Sequence, residues 1–348
     1  MHRRTAIALP LAATLLAAAS ASAQGVELVT EEYMVPSGDP GIEIFVRNKR
    51  PQGMNAFSPA RTLLFVHGAT YPAHTSFDLP LGGLSWMDYV AGRGFDVWCM
   101  DIRGYGRSTR PPEMNQPPEA NPPIVRGDTA LADIAAAAGF VRQHRSVPRL
   151  VLMGWSWGST LTARFAADSP AQVERLVLVA PPWPPAGAAA PVAGTEGPLG
   201  AYRLVTQAEA RRQWIAGVPE TRRAALIPPG WFEHWAGVTW ATDPEGLRRN
   251  PNVLRVPNGG LQDLREHELA GRASWDPAKL RAPTLLVVAE WDRETPPAMA
   301  AAIFPLLVNS SGKRLVVLGE GTHTMLMERN RGALFATVQA FLEEAPPA

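Results

Sequence analysis

Three short segments of this chain carry residue types that could act together. The first is Gly154-Trp155-Ser156-Trp157-Gly158, followed by Ser159. A serine hydroxyl is a weak nucleophile until a base takes its proton, and the base needs an acid to orient it. Glycines two places to either side let a strand and a helix meet across a sharp turn that lifts the hydroxyl clear of the backbone. The second is Asp292, just past the apolar run Leu285 to Ala289, with Glu290 and Glu294 as rival carboxylates in the same loop. The third is His323, which follows the apolar run Leu315 to Leu318 and is the last histidine of the chain. Nucleophile, acid and base thus fall in that chain order, each past the end of an apolar run. The chemistry this implies is acyl transfer. Ser156 attacks, His323 serves as base and then as acid, and Asp292 holds the imidazole. A developing oxyanion needs fixed N–H donors. The backbone amides of Trp157, next to the serine, and of Ala69, after His67-Gly68, are the candidates. His67 reads as a support for that loop.

Such residues need a rigid frame. After two strands at Val26 to Val35 and Ile42 to Asn48, short apolar runs at Thr62 to Val66, Asp96 to Met100, Leu150 to Met153 and Leu176 to Ala180 alternate with helical stretches. Helices are expected at Leu84 to Arg93, Ala130 to His144 and Ser159 to Ala167. Near-continuous apolar strands separated by helices specify an α/β fold, a mostly parallel sheet covered on both faces. The pattern stops at Pro181 and resumes at Thr284 to Ala289, with a helix from Pro297 to Leu307, the last strand, and a last helix from Met325 to Leu342. Residues 24–180 and 282–348 therefore read as one core, and 181–281 as a helical cap inserted between its sixth and seventh strands. The cap would wall the active edge. Trp183 and Trp235 within it, together with Tyr71 and Trp155, are candidate pocket residues, with plain core packing as the alternative.

These residues resemble the α/β-hydrolase superfamily over nearly all of the chain. The resemblance is carried by His67-Gly68, by the turn Asp101-Ile102-Arg103-Gly104-Tyr105-Gly106-Arg107-Ser108, by the elbow at Ser156, by Asp292 with Pro296, and by His323. It implies the α/β-hydrolase fold and a structural role for the Asp101 turn. Gly154 to Thr160 is most similar to the elbow of proline iminopeptidases, but the glycine-rich H-G-G-P-G loop of those enzymes is here His67-Gly68-Ala69-Thr70-Tyr71. Family members that use an aspartate nucleophile do not match Ser156. A serine esterase acting on a small ester with an apolar or aromatic moiety is the leading expectation. An aminopeptidase or amidase, and a non-catalytic binding protein on the same fold, are the alternatives.

Composition narrows the partners. Lys+Arg is 33 against Asp+Glu 32, so no basic excess points to nucleic acid. At 46% hydrophobic residues, the 348-residue chain can bury a large core. No H-E-x-x-H, C-x-x-C, EF-hand or dinucleotide spacing occurs, so neither metal nor cofactor is expected. Residues 1–23 combine a basic start at Arg3 and Arg4, an apolar run from Ala6 to Ala19 and small residues at Ala21-Ser22-Ala23. That is the layout of a cleaved signal peptide, which predicts a periplasmic or secreted protein with no stable membrane association. Cleavage after Ala23 would take the formal charge from +1 to −1. Cys99 is the only cysteine, so the chain cannot close an internal disulfide. It reads as a buried small hydrophobe.

Overall fold

The computed structural model describes residues 25–184 and 197–345. The signal segment and much of the Pro181 to Gly200 stretch lie outside the described residues. Ten strands are present among them: β1 (Leu28–Pro36), β2 (Glu43–Pro51), β3 (Thr62–Val66), β4 (Asp96–Met100), β5 (Leu150–Trp155), β6 (Val173–Val179), β7 (Tyr202–Thr206), β8 (Val253–Pro257), β9 (Thr284–Ala289) and β10 (Lys313–Leu318). Eight of them form one sheet in the order β1-β2-β4-β3-β5-β6-β9-β10. Pairing is parallel from β4 through β10 and antiparallel where β2 meets β1 and β4. The inner strands β3, β4, β5 and β9 are buried along their whole length, as strands covered on both faces must be.

The covering helices of the core are α1 (Ala73–Phe77), α2 (Trp86–Ala91), α3 (Gly127–Arg145) and α4 (Trp157–Asp168). The 181–281 segment holds α5 (Gln207–Trp214), α6 (Glu220–Leu226), α7 (Trp231–Trp240), α8 (Pro244–Leu247) and α9 (Gly259–Glu266). Then come α10 (Pro297–Ile303) and α11 (Arg331–Glu343). Local chemistry explains several boundaries. Helix α2 starts at Trp86 because Ser85 and Asp88 form a reciprocal capping box. Helix α10 stops at Ile303 and gives way to a 3-10 turn containing Pro305, which cannot continue an α-helical ladder.

Two expectations change in detail. The expected last helix is split: Met325–Met327 is a 3-10 turn, and α11 begins only at Arg331. Glu328 between them is extended (φ −103°, ψ 174°), with its side chain drawn inward to Thr322 and Trp214. The inserted segment, expected to be helical, also contains an antiparallel strand pair, β7 with β8. Each strand is only five residues and carries an arginine, which hides it from a hydrophobicity pattern. In β8 the buried Arg255 is neutralised by Asp243, which accepts from both its backbone and its guanidinium.

The turn after β4 also has a structural account. Asp101, fully buried, accepts from the amides of Ala73 at 2.7 Å and Arg107 at 3.0 Å, while Arg103 forms a buried ion pair with Asp133. A Cβ on Gly106 would lie 2.0 Å from the Asp101 carboxylate, so the turn admits only glycine there. Cys99 is completely buried in β4, and its thiol is pushed up by burial.

Candidate active site

Ser156 sits between the end of β5 and the start of α4 with φ 57° and ψ −126°. A non-glycine residue adopts such a backbone only when its surroundings impose it. The neighbours do so. A Cβ on Gly154 would lie 2.2 Å from the carbonyl oxygen of Gly158, and one on Gly158 would lie 2.5 Å from those of Val66 and His67. Ser159 locks the turn, donating to the carbonyls of Gly154 and Val179 at 2.9 and 2.8 Å. The Ser156 hydroxyl thereby faces a cavity of about 140 Å³ that is also lined by His323, Ala69, Trp155 and Trp157.

Asp292 lies in the turn after β9, 2% exposed, and its carboxylate is fully committed. One oxygen accepts from the amides of Glu294 and Thr295 at 2.9 and 2.8 Å. The other accepts from the Thr295 hydroxyl at 2.7 Å and stands 2.8 Å from Nδ1 of His323. Facing a carboxylate, Nδ1 must carry the proton, which leaves Nε2 of the neutral ring as an acceptor. Burial disfavours the charged ring, but the flanking Asp292 and Glu294 carboxylates outweigh it and raise His323 to about 9. Of the three candidate carboxylates, Asp292 meets Nδ1. Glu294 Oε2 instead lies 3.7 Å from Nε2, and Glu290 accepts from the Glu320 amide at the edge of the same loops. Ser156 and His323 share the cavity without a hydrogen bond between them.

The two expected oxyanion donors also face this space. Trp157 is the first residue of α4, so its amide has no acceptor within the helix. Ala69 follows Gly68, whose position lies within 3.1 Å of the Ser156 Cβ for any added Cβ. The Ala69 carbonyl is tied from two sides, by Tyr105 Oη at 3.1 Å and by the Arg203 guanidinium at 2.9 Å, which also binds the Thr70 hydroxyl. That fixes the direction of the peptide beside it. His67 supports the same loop, with Nδ1 2.7 Å from the Gly68 carbonyl and Nε2 accepting from the Ile102 amide at 3.0 Å.

Among the candidate pocket residues, Tyr71 and Trp155 line the cavity, and Trp183 and Trp235 do not. Trp183 packs edge-on against Trp275. Trp235 is completely buried among Tyr71, Trp214 and Trp240 inside the insertion, because its position on α7 points at the seam rather than the opening. Trp155 also steadies the histidine. Its indole donates to the His323 carbonyl at 3.0 Å, and its ring lies against the imidazole. His74 on α1, close in sequence to Tyr71, is turned inward to Asp101 at 3.2 Å.

Several lining residues had no sequence signal: Arg203 and Gln213 from β7 and α5, Leu261 on α9, and Thr295 beside Asp292; Trp214 and Glu268 stood out only as one of several tryptophans and one of several acids in the insertion. Glu294 was visible only as a rival acid. Among the described residues there is no cluster of three or more metal-ligating side chains, and no helix long and apolar enough to cross a membrane.

A sharp strand-to-helix turn carrying a serine, a histidine–aspartate pair and two free amides around one cavity define a class of protein, and comparison agrees. Residues 61–330 match the family described as the alpha/beta hydrolase fold, and the chain belongs to that family. A relative of known activity, N-formylmaleamate deformylase of Pseudomonas putida, is 32% identical over 126 residues. That match spans 34% of this chain and 37% of the deformylase, so the chain matches little more than a third of that relative's length. Among solved structures, the 2-hydroxy-6-oxo-6-phenylhexa-2,4-dienoate hydrolase of Rhodococcus sp. strain RHA1 superposes with a TM-score of 0.59 at 16% identity, covering 91% of this chain and 99% of that one. A thermophilic esterase of Thermogutta terrifontis gives 0.52 at 18% identity, covering 90% and 98%. At such identities these two speak for the shared fold.

Proposed function

We propose that the chain is an exported serine hydrolase that cleaves a carboxylic ester through an acyl intermediate on Ser156. The observation that carries this reading is the strained backbone of Ser156 at the mouth of a cavity shared with a histidine whose far nitrogen is held by Asp292. Ser156 Oγ attacks the ester carbon as Nε2 of His323 takes its proton, and the amides of Ala69 and Trp157 receive the oxyanion. Collapse of the tetrahedral species returns that proton to the departing alkoxide. Water, deprotonated by the same nitrogen, then releases the acid and regenerates the serine.

The substrate is small. A cavity of about 140 Å³ is close to the ~150 Å³ that accommodates a benzene ring. With Trp155, Trp157, Trp214 and Tyr71 in its wall, it suits a short or single-ring acyl group. The inserted segment would act as a cap, since β7, α5 and α9 supply the wall facing the serine. A second reading keeps the same machinery and breaks an amide. It is favoured by the Glu294 and Glu268 carboxylates in the wall, which suit a substrate amine.

Ser156→Ala is expected to lower kcat on small aryl esters about 10⁴-fold or more while the circular dichroism spectrum and melting temperature stay close to those of the parent. Undiminished turnover by a folded variant would end the proposal. Parallel assays with p-nitrophenyl esters and amino-acid p-nitroanilides separate the two bond types.

A further inference from the structure

Glu294 lines the cavity, is not used by the reaction above, and stands against the reacting edge of His323. Its backbone amide is spent on Asp292, but its carboxylate is not spent on any arginine or lysine among the described residues. The cation it meets is the imidazole itself, with Oε2 3.7 Å from Nε2. Arg203 lies in the same wall, yet its guanidinium is engaged by the carbonyls of Ala69 and Pro257 and by the Thr70 hydroxyl. Glu268, only 3% exposed, repeats the pattern elsewhere in the lining: Ser274 donates to one of its oxygens, and no cation among the described residues forms an ion pair with it. Burial pushes both carboxyls upward, because the partners each one has do not repay the hydration it loses.

We propose that Glu294 is the specificity carboxylate of this cavity, taking a protonated amine that the substrate carries close to its scissile carbonyl. The inference rests on Ser156 being the nucleophile and names the substrate class of that same site: an ester or amide of an amino acid with its amine free. The geometry gives the amine a second effect. The imidazole lies between two carboxylates, Asp292 at Nδ1 and Glu294 at Nε2, with Glu328 nearby and Tyr71 and Arg203 further along the wall. That arrangement favours the charged ring, which cannot accept the serine proton. An ammonium group at Glu294 offsets its field, favours the neutral ring and frees Nε2 for Ser156. Binding the correct substrate and arming the base would then be one event.

The test compares L-alanine ethyl ester with N-acetyl-L-alanine ethyl ester, measured by acid release, in the wild type and in Glu294→Gln. The wild type is expected to favour the free amine in kcat/KM by about tenfold or more, as a charge-assisted pair would give. Glu294→Gln should bring that ratio down about tenfold, chiefly through KM. It should also move the acid limb of kcat/KM for the N-acetyl ester to lower pH, because one of the two carboxylates holding the ring charged is gone. A wild-type ratio at or below one overturns the proposal, as does a ratio unchanged in Glu294→Gln. A fluorophosphonate probe assigns the failure. If Ser156 is labelled, the nucleophile stands and the amine site falls. If Ser156 of the wild type is not labelled, both fall. Glu294→Asp, which keeps the charge, should retain a preference for the free amine and guards against a folding defect in Glu294→Gln.

Discussion

The loops at the strand ends of the sheet and the segment inserted between β6 and β9 face each other across one cavity, but they hold their residues in different ways. In the loops, each reactive group is fixed by its immediate neighbours in sequence. Ser156 is set by Gly154, Gly158 and Ser159, and Asp292 by the amides two and three residues on. In the insertion, lining residues are set by partners far along the chain. Arg203 reaches the Ala69 loop, and Trp214 donates to Glu328 across 114 positions at 2.9 Å. On the proposed function, chemistry is thus encoded locally and selectivity by long-range packing. If so, damage to the loops should abolish turnover for every substrate, and damage to the insertion should re-rank substrates.

The largest effect after loss of the serine itself is expected at Asp292. Asp292→Asn keeps the size of the side chain but places an amide where the Nδ1 proton must be accepted, favouring the wrong tautomer of His323. A fall in kcat of about 10³- to 10⁴-fold is expected, alike for esters with different acyl groups. A variant that lost activity on one acyl group and kept it on another would break the distinction between the two regions.

A smaller effect is expected at their seam, where Glu328 joins them. This completely buried carboxylate accepts from the Trp214 indole of the insertion and from both the amide and the hydroxyl of Thr322, next to His323. Glu328→Gln sets an N–H against one of those donors and should lower kcat about tenfold by loosening the histidine loop. It should also change the response to pH. Burial raises Glu328 from 4.5 to about 7, so between those values the folded protein holds a proton that the unfolded chain has released. That contribution to stability is fully present below pH 4.5 and is lost as the pH rises through about 7. The melting temperature of the wild type, taken relative to Glu328→Gln, should therefore fall across that window. A constant difference would remove Glu328 as the titrating group.

The two regions were not equally legible in the sequence. The eight strands of the sheet, the elbow and the order of Ser156, Asp292 and His323 could be read because each depends on a few adjacent residues: an apolar run, then a turn that tolerates only small or polar groups. The break at Glu328 was missed because Met325 to Leu342 is helical in pattern, and the side chain that interrupts it is drawn away by Thr322 and Trp214, which no local window contains. The strands β7 and β8 were missed because an arginine within a strand needs acceptors supplied from elsewhere, here the Ala69 carbonyl for Arg203 and Asp243 for the buried Arg255. Which tryptophans face the cavity depends on how α5 and α7 rotate against the core. Composition carries no such information, and so cannot tell that Trp214 lines the cavity while Trp235 does not.

That pair of tryptophans gives the finest test of the comparison, and the smallest expected effect. Trp214 touches Trp235 edge-on with ring centroids 4.9 Å apart, so the two residues share an aromatic cluster and differ in that only Trp214 reaches the cavity. Trp235→Phe removes part of a completely buried ring and an indole nitrogen that has no acceptor. It should reduce stability by about 1–3 kcal/mol, seen as a lower urea midpoint, and leave the ranking of short, branched and aryl acyl esters as it was. Trp214→Phe removes a comparable volume and also the bond to Glu328. It should change KM unequally across the same panel, by a few-fold, and favour the bulkier acyl groups because the wall has receded. If the two variants shift the panel alike, the cavity wall is not set by which ring faces it. Selectivity would then have to come from movement of the whole insertion against the sheet.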